Sequence, residues 1–286
     1  MFAAIRNWRR RRTLATAAIP DALWRRGLEA LPFLAIYTED ELIRLRERVV
    51  VFLSEKSIVG GGRFEVTPLM RVVIAMQACA LALCLDPDSF DGWENVIVYP
   101  DQFVIAHEFE DEAGVVHRRR EELAGESMPG GPLVLSWSDV EASADWAAAG
   151  MNLVIHEFAH KLDMRNGEAN GRPPLPADIP PRLWQEAMNT AYQHFRTRVE
   201  AGEDTAIDPY AADSPAEFFA VLSEVFFAEP GLLLREYGRV YDLFRRFYRQ
   251  DPASRRTVDG SGARAAARRR TRDTRAPRRR RDVGAE

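Results

Sequence analysis

The stretch Asn152-Leu-Val-Ile-His-Glu-Phe-Ala-His-Lys-Leu-Asp163 decides how the chain is read. On a helix, His156 and His160 lie four apart and project from one face about one turn from each other, so two imidazoles can grip one ion. Zinc takes nitrogen ligands at about 2.0 to 2.1 Å in tetrahedral geometry, and a catalytic site leaves one position for water. Glu157, beside the first histidine, can accept that water's proton and generate a hydroxide-like nucleophile near neutral pH. Five letters recur by chance, so context carries weight. Leu153, Val154, Phe158 and Leu162 supply the apolar packing that a helix through an enzyme core requires. The competing reading is a core helix whose histidines are merely satisfied.

A third protein ligand has to come from elsewhere. Residues 167–176 form a loop with no histidine at the short metzincin spacing. His107 and His117 fall upstream in strand and loop sequence, and His194 falls at an exposed helix position, which makes all three weak candidates. The segment from Asp208 to Phe227 offers Glu217 and Glu224. Seven residues apart, they share a helix face, yet they differ by about 10 Å in height, so one zinc cannot easily bind both. Ser214-Pro-Ala-Glu217 also reads as a capping box, with Glu217 reaching back to Ser214. Spacing alone leaves ligand and cap evenly matched. Asp163, one turn beyond His160, is equally divided between orienting a ligand and tying down the loop that follows.

Outward from the motif, Leu42, Leu45, Val49 and Leu53 predict a helix over about residues 38–54. Thr67-Pro68 fits a cap with proline at the first helical position, opening an apolar helix that should run through the core. The glycines at 60–62 lack the Gly-Lys-Ser/Thr ending of a phosphate-binding loop and read as flexible punctuation. Val96-Ile-Val-Tyr-Pro100 and Phe103-Val-Ile-Ala106 predict short strands about a turn at Pro100-Asp101, and residues 132–137 a last strand before the motif. This order predicts a mixed α+β domain. Residues 1–35, with Trp8, Trp24, Leu28, Leu31 and Phe33, read as an amphipathic lead-in packed on the body. Residues 36–253 read as the catalytic domain and 254–286 as a disordered tail.

At 286 residues and 46 % apolar content the chain can bury a large core. Residues 254–286 hold twelve arginines against four acidic residues, a local +8, so a chain of formal net charge −4 carries −12 on the rest. Such a tail touches nucleic acid by charge alone, and no aromatic-bearing binding module accompanies it. Cys79 and Cys84 lie in an apolar run, a pattern of buried small hydrophobes in a reducing compartment rather than of a secreted disulfide scaffold. Residues 72–85 are too short for the roughly 20 residues of a spanning helix, and no apolar run of signal-peptide length precedes Pro20. The expected setting is soluble and cytoplasmic, with no membrane contact.

His156-Glu-Phe-Ala-His-Lys-Leu-Asp163, Gly167-Glu-Ala-Asn-Gly-Arg-Pro-Pro174, Asp208-Pro-Tyr-Ala211 and Pro215-Ala-Glu-Phe-Phe-Ala-Val-Leu-Ser-Glu224 together resemble the Mlc titration factor A family of zinc peptidases, itself similar to the catalytic domain of anthrax lethal factor. The resemblance covers about residues 20–250 and implies a zincin-like metallopeptidase domain with a mixed sheet and one Zn2+ per chain. It implies His156, His160 and Glu217 as zinc ligands, Glu157 as general base and Tyr210 pointing at the site. The strand ending in Leu135-Ser-Trp137 would then form the edge of the cleft and hold an extended peptide by backbone hydrogen bonds. Family members imply aminopeptidase activity on small residues and sequestration of the repressor Mlc, which controls the sugar phosphotransferase system. A rival of another class is a non-catalytic repressor-binding protein with a residual zinc site.

Overall fold

The computed structural model describes residues 2–110, 116–143 and 150–255. The chain begins with helices α1 (Phe2–Thr16), α2 (Asp21–Ala30) and α3 (Glu39–Glu55), then strand β1 (Ser57–Gly60) and helix α4 (Pro68–Leu81). Strands β2 (Asn95–Tyr99), β3 (Phe103–Glu110), β4 (Val116–Leu123), β5 (Gly125–Ser127) and β6 (Leu133–Ser136) follow. Helices α5 (Trp137–Ala142), α6 (Leu153–Asp163), α7 (Pro181–Glu200), α8 (Pro215–Ala228), α9 (Pro230–Glu236), α10 (Gly238–Tyr248) and α11 (Pro252–Arg255) complete it. The class is α+β, with a small mixed sheet and many helices. The tail expected from residue 254 starts inside α11, and its remainder lies outside the described residues, as do the side chains of His107 and His117.

Local chemistry accounts for the long helices. Thr38 caps α3 with a capping box: its hydroxyl accepts from Glu41 N–H (3.3 Å) while Glu41 accepts from Thr38 N–H (3.0 Å). Thr67 caps α4 and Pro68 opens it, and every residue from Val72 to Leu81 is buried, so α4 crosses the core. Helix α6 is buried along its whole length, and α8 from Phe218 to Ala228. They pack on each other, and α4 packs on α6. Trp184 of α7 stacks on Phe244 of α10, ring centroids 5.7 Å apart, beneath α8. No helix among the described residues is long and apolar enough to cross a membrane.

The four-stranded sheet runs β1-β2-β6-β5, with β1, β2 and β6 parallel and β5 antiparallel to β6. The strand expected at the cleft edge, β6, is therefore interior and buried at all four residues, and the three-residue β5 takes the edge. Strands β3 and β4 pair with each other in a separate hairpin, so the strands either side of Pro100-Asp101 enter different sheets. Helix α1 also departs from expectation: Trp8 and Ile5 stay exposed, and the helix docks through Arg10, which bonds Asp88 (2.8 Å) and Glu55 (3.3 Å).

Crowding explains the first two glycines at 60–62, and a left-handed backbone (φ 62°) the third. A Cβ on Gly60 would lie 1.7 Å from the Phe64 carbonyl oxygen, and one on Gly61 2.4 Å from the Tyr99 ring. Gly60→Ala should lower stability by about 1–3 kcal/mol through overpacking. A thermal melt followed by circular dichroism checks this, and an unshifted midpoint would mean that the loop relaxes without cost.

Candidate metal centre and active site

Helix α6 starts where Asn152 accepts from Ile155 N–H (2.9 Å) as its cap. The Asn152 side chain also donates to Gln77 of α4 (2.7 Å), and its backbone N–H donates to the Glu224 carboxylate of α8. The other Glu224 oxygen lies 2.6 Å from His156 Nδ1. A carboxylate on Nδ1 holds the proton there and leaves Nε2 with its lone pair facing the other way, as it commonly does behind metal-ligating histidines.

That direction is toward His160 and Glu217. His156 Nε2 lies 3.1 Å from His160 Nε2 and 3.0 Å from Glu217 Oε2, and His160 Nε2 lies 3.4 Å from the same oxygen. Ligands about 2.0 to 2.1 Å from a tetrahedral ion are separated by about 1.63 bond lengths, roughly 3.3 Å. The triangle thus has the edge lengths of three ligands around one zinc-sized cation. It is the one group of three among the described residues able to hold a metal ion in this way. Glu217 Oε2 is buried yet accepts no well-aligned hydrogen bond, as expected of an atom directed at an ion.

Charge agrees with shape. Burial disfavours an imidazolium at His156, but Glu217 and Glu224 on its two nitrogens outweigh burial and raise its pKa to about 10. Burial likewise opposes ionisation of Glu217, and the two histidines overcome it, holding the carboxyl well below the usual range. The cluster favours positive charge between its members, supplied by protons or by a metal ion that displaces them.

The two glutamates that spacing sets against each other serve different atoms. Glu217 faces Nε2 and Glu224 faces Nδ1 of the same imidazole. Only half of a capping box forms at α8: the Ser214 hydroxyl accepts from Glu217 N–H (3.2 Å), while the Glu217 carboxylate turns to the histidines. Asp163 ties down the loop, one oxygen accepting from Asn170 and Gly171 N–H at 2.6 Å each. His194 lies exposed on α7, 3.1 Å from the Tyr237 hydroxyl. Tyr210, on the turn Pro209–Ala212 packed against α8, has its ring centroid 6.1 Å from that of His156.

Strand β5 lies against Glu157. The Ser127 hydroxyl is 2.9 Å from Glu157 Oε2 and 2.8 Å from its backbone oxygen, and a Cβ on Gly125 would sit 2.5 Å from Oε1. Lys161 closes the β5–β6 turn onto α6, donating to the carbonyls of Met128 (2.7 Å), Gly131 (2.9 Å) and Pro132 (3.3 Å). Its ammonium lies 4.9 Å from the Trp93 ring centroid, and burial lowers its pKa to about 8. Ser127 and Gly125 carry no motif that marks them, and Lys161, though inside the histidine stretch, shows no sign of its partners there, because these roles depend on contact across some 30 residues of sequence.

Residues 5–249 match the family model described as glucose-regulated metallo-peptidase M90. The chain is 40 % identical over 242 residues to Mlc titration factor A of Klebsiella pneumoniae subsp. pneumoniae, covering 83 % of this chain and 89 % of that one. To the protein of the same name from Cronobacter sakazakii it is 40 % identical over 253 residues, 87 % and 92 % of the two chains. To that of Salmonella gallinarum it is 41 % identical over 236 residues, 81 % and 88 %.

Gly125→Ala tests the contact between β5 and Glu157. The added methyl must displace the carboxylate, and a misplacement of about 1 Å lowers turnover by roughly 10²-fold. The expected outcome is that loss in kcat with metal content and melting midpoint retained. Unchanged turnover would mean that β5 yields instead.

Proposed function

The chain belongs to the glucose-regulated metallo-peptidase M90 family, and from that membership we propose that it is a zinc-dependent peptidase. His156, His160 and Glu217 are the proposed ligands, and the carrying observation is their triangle of 3.0, 3.1 and 3.4 Å. A zinc ion held there supplies Lewis acidity, polarising a peptide carbonyl and acidifying water. Glu157 takes the proton of the attacking water and returns it to the leaving amine. Ser127 occupies Glu157 Oε2, which leaves Oε1 to make that transfer. The Tyr210 hydroxyl donates to the developing oxyanion, a role supported by the nearness of its ring to His156. An extended substrate lies along β5, the strand that borders Glu157, and aminopeptidase action on small residues is the proposed specificity. The zincin-like architecture is part of the same reading.

The relatives' name, Mlc titration factor A, motivates a second role, binding of the repressor Mlc. The free Cys79 and Cys84 suit a reducing compartment, and the cytoplasm is the proposed setting. A purely sequestering protein would have no use for a metal triangle backed by Glu224 or for a base held by Ser127. A chelator-sensitive peptidase assay beside a pull-down with purified Mlc separates the two roles, and repressor capture without any turnover would leave only the binding one.

Glu157→Gln should retain stoichiometric zinc, measured by elemental mass spectrometry, and lose turnover by at least about 10²-fold. Full activity in that variant would remove the general-base role. Glu217→Gln should lower zinc content more than Glu224→Gln, because the first removes a ligand and the second only its support. The reverse ranking would exchange the two assignments.

A further inference from the structure

We infer that the sheet edge opposite the metal centre is a second docking site, one for an extended segment of a partner protein that carries carboxylates beside aliphatic side chains. The order β1-β2-β6-β5 gives the sheet two outer strands, and Glu157 lies at β5, so β1 forms the other margin. Beside β1 opens a cavity of about 420 Å3, bounded by the link between α1 and α2, the end of α3 and the first turns of α4. Ser57, Ile58 and Val59 all line it. Successive strand residues point to opposite faces, so a cavity that touches three in a row follows the backbone edge rather than one face.

Hydrogen bonds from Ser57 N–H to Glu94 and from Gly61 N–H to Val98 turn the odd-numbered residues of this strand toward β2. In a parallel ladder a residue's N–H and C=O point to the same side, so those of Ile58 are directed outward, at the cavity. The apolar lining comes from Ile19, Leu23, Leu53 and Val72, and Val59 at the margin is 42 % exposed.

Charge selects the occupant. The lining includes Lys56 and Arg71 and no acidic residue, on a body that otherwise carries net negative charge. The Lys56 ammonium donates to the carbonyls of Phe90 (2.5 Å) and Trp93 and lies 4.2 Å from the Trp93 ring centroid, so its charge is already engaged. Among the described residues the Arg71 guanidinium has no hydrogen-bond or ion-pair partner and stands at the rim. An outward backbone donor and acceptor, an aliphatic slot and an unpaired guanidinium together fit strand addition by an acidic peptide. Like charge disfavours the chain's own arginine-rich C-terminal segment as the occupant.

The test is fluorescence anisotropy on the full chain in the Glu157→Gln background, so that probes are not cut. The probes are fluorescein-labelled, C-terminally amidated nonapeptides alternating valine with glutamate, glutamine or lysine. The glutamate probe should bind saturably, and the lysine probe at least roughly tenfold more weakly. Arg71→Glu and Ala18→Trp, the latter filling the cavity from an exposed lining position, should each weaken the glutamate probe by roughly tenfold or more with the melting midpoint retained. Absence of saturable glutamate binding overturns the inference. So does binding that survives either variant, which would put the probe elsewhere, β5 included. A wild-type dimer in sedimentation velocity that Ala18→Trp dissociates would make a second copy of the chain the occupant and overturn it equally.

Discussion

Glu224 stands in the middle of α8 with 1 % of its surface exposed, where removing its partners would leave an uncompensated charge at a cost of about 3–5 kcal/mol. Its two oxygens are taken by His156 Nδ1 and by the backbone N–H of Asn152, and Asn152 in turn bonds Gln77. One buried polar chain thus joins α4, α6 and α8, three helices that otherwise meet through aliphatic and aromatic packing. Apolar packing alone tolerates sliding and rotation, whereas these bonds hold only at one register. With that register fixed, Glu217, two turns earlier on α8, arrives at the opposite nitrogen of the same ring.

Two further buried side chains of α6 draw in partners, although the second oxygen of Asp163 has none among the described residues. Lys161 finds three carbonyls in the β5–β6 turn, and Asp163 two backbone amides in the loop that follows the helix. Each of these bonds also anchors a segment to α6. Lys161 draws in the turn that carries β5, and β5 brings Ser127 to the Glu157 carboxylate with Gly125 leaving room for it. The setting of the Glu157 carboxylate is in this sense a consequence of burying a lysine.

Much of this was legible in the chain itself. The start of α4 follows from Thr67-Pro68 and the extent of α3 from its apolar spacing, because capping and periodicity are local chemistry, whereas the caps at Thr38 and Asn152 were found in the structure. The pairing of His156 with His160 follows from helical period. Strand β5 was not legible: Gly125-Glu-Ser127 is too short and too polar to show alternation, and it exists as a strand only because β6 pairs with it. Of the glycines at 60–62, which looked permissive in sequence, Gly60 and Gly61 prove to be sterically required, since what crowds Gly61 is Tyr99 from another strand, and Gly62 keeps its left-handed backbone in open space.

The sequence by itself determined the α+β class, the helix that sets His156 and His160 on one face, and the shortlist of carboxylates, since each rests on spacing along a single element. Tertiary structure alone decided which glutamate meets which nitrogen, which strand borders Glu157, and where a sheet edge stays open. The physical reason is range. Periodicity and capping act over a few residues, whereas a ligand's position depends on the register between helices 68 residues apart, set by polar bonds that form only once the core has closed.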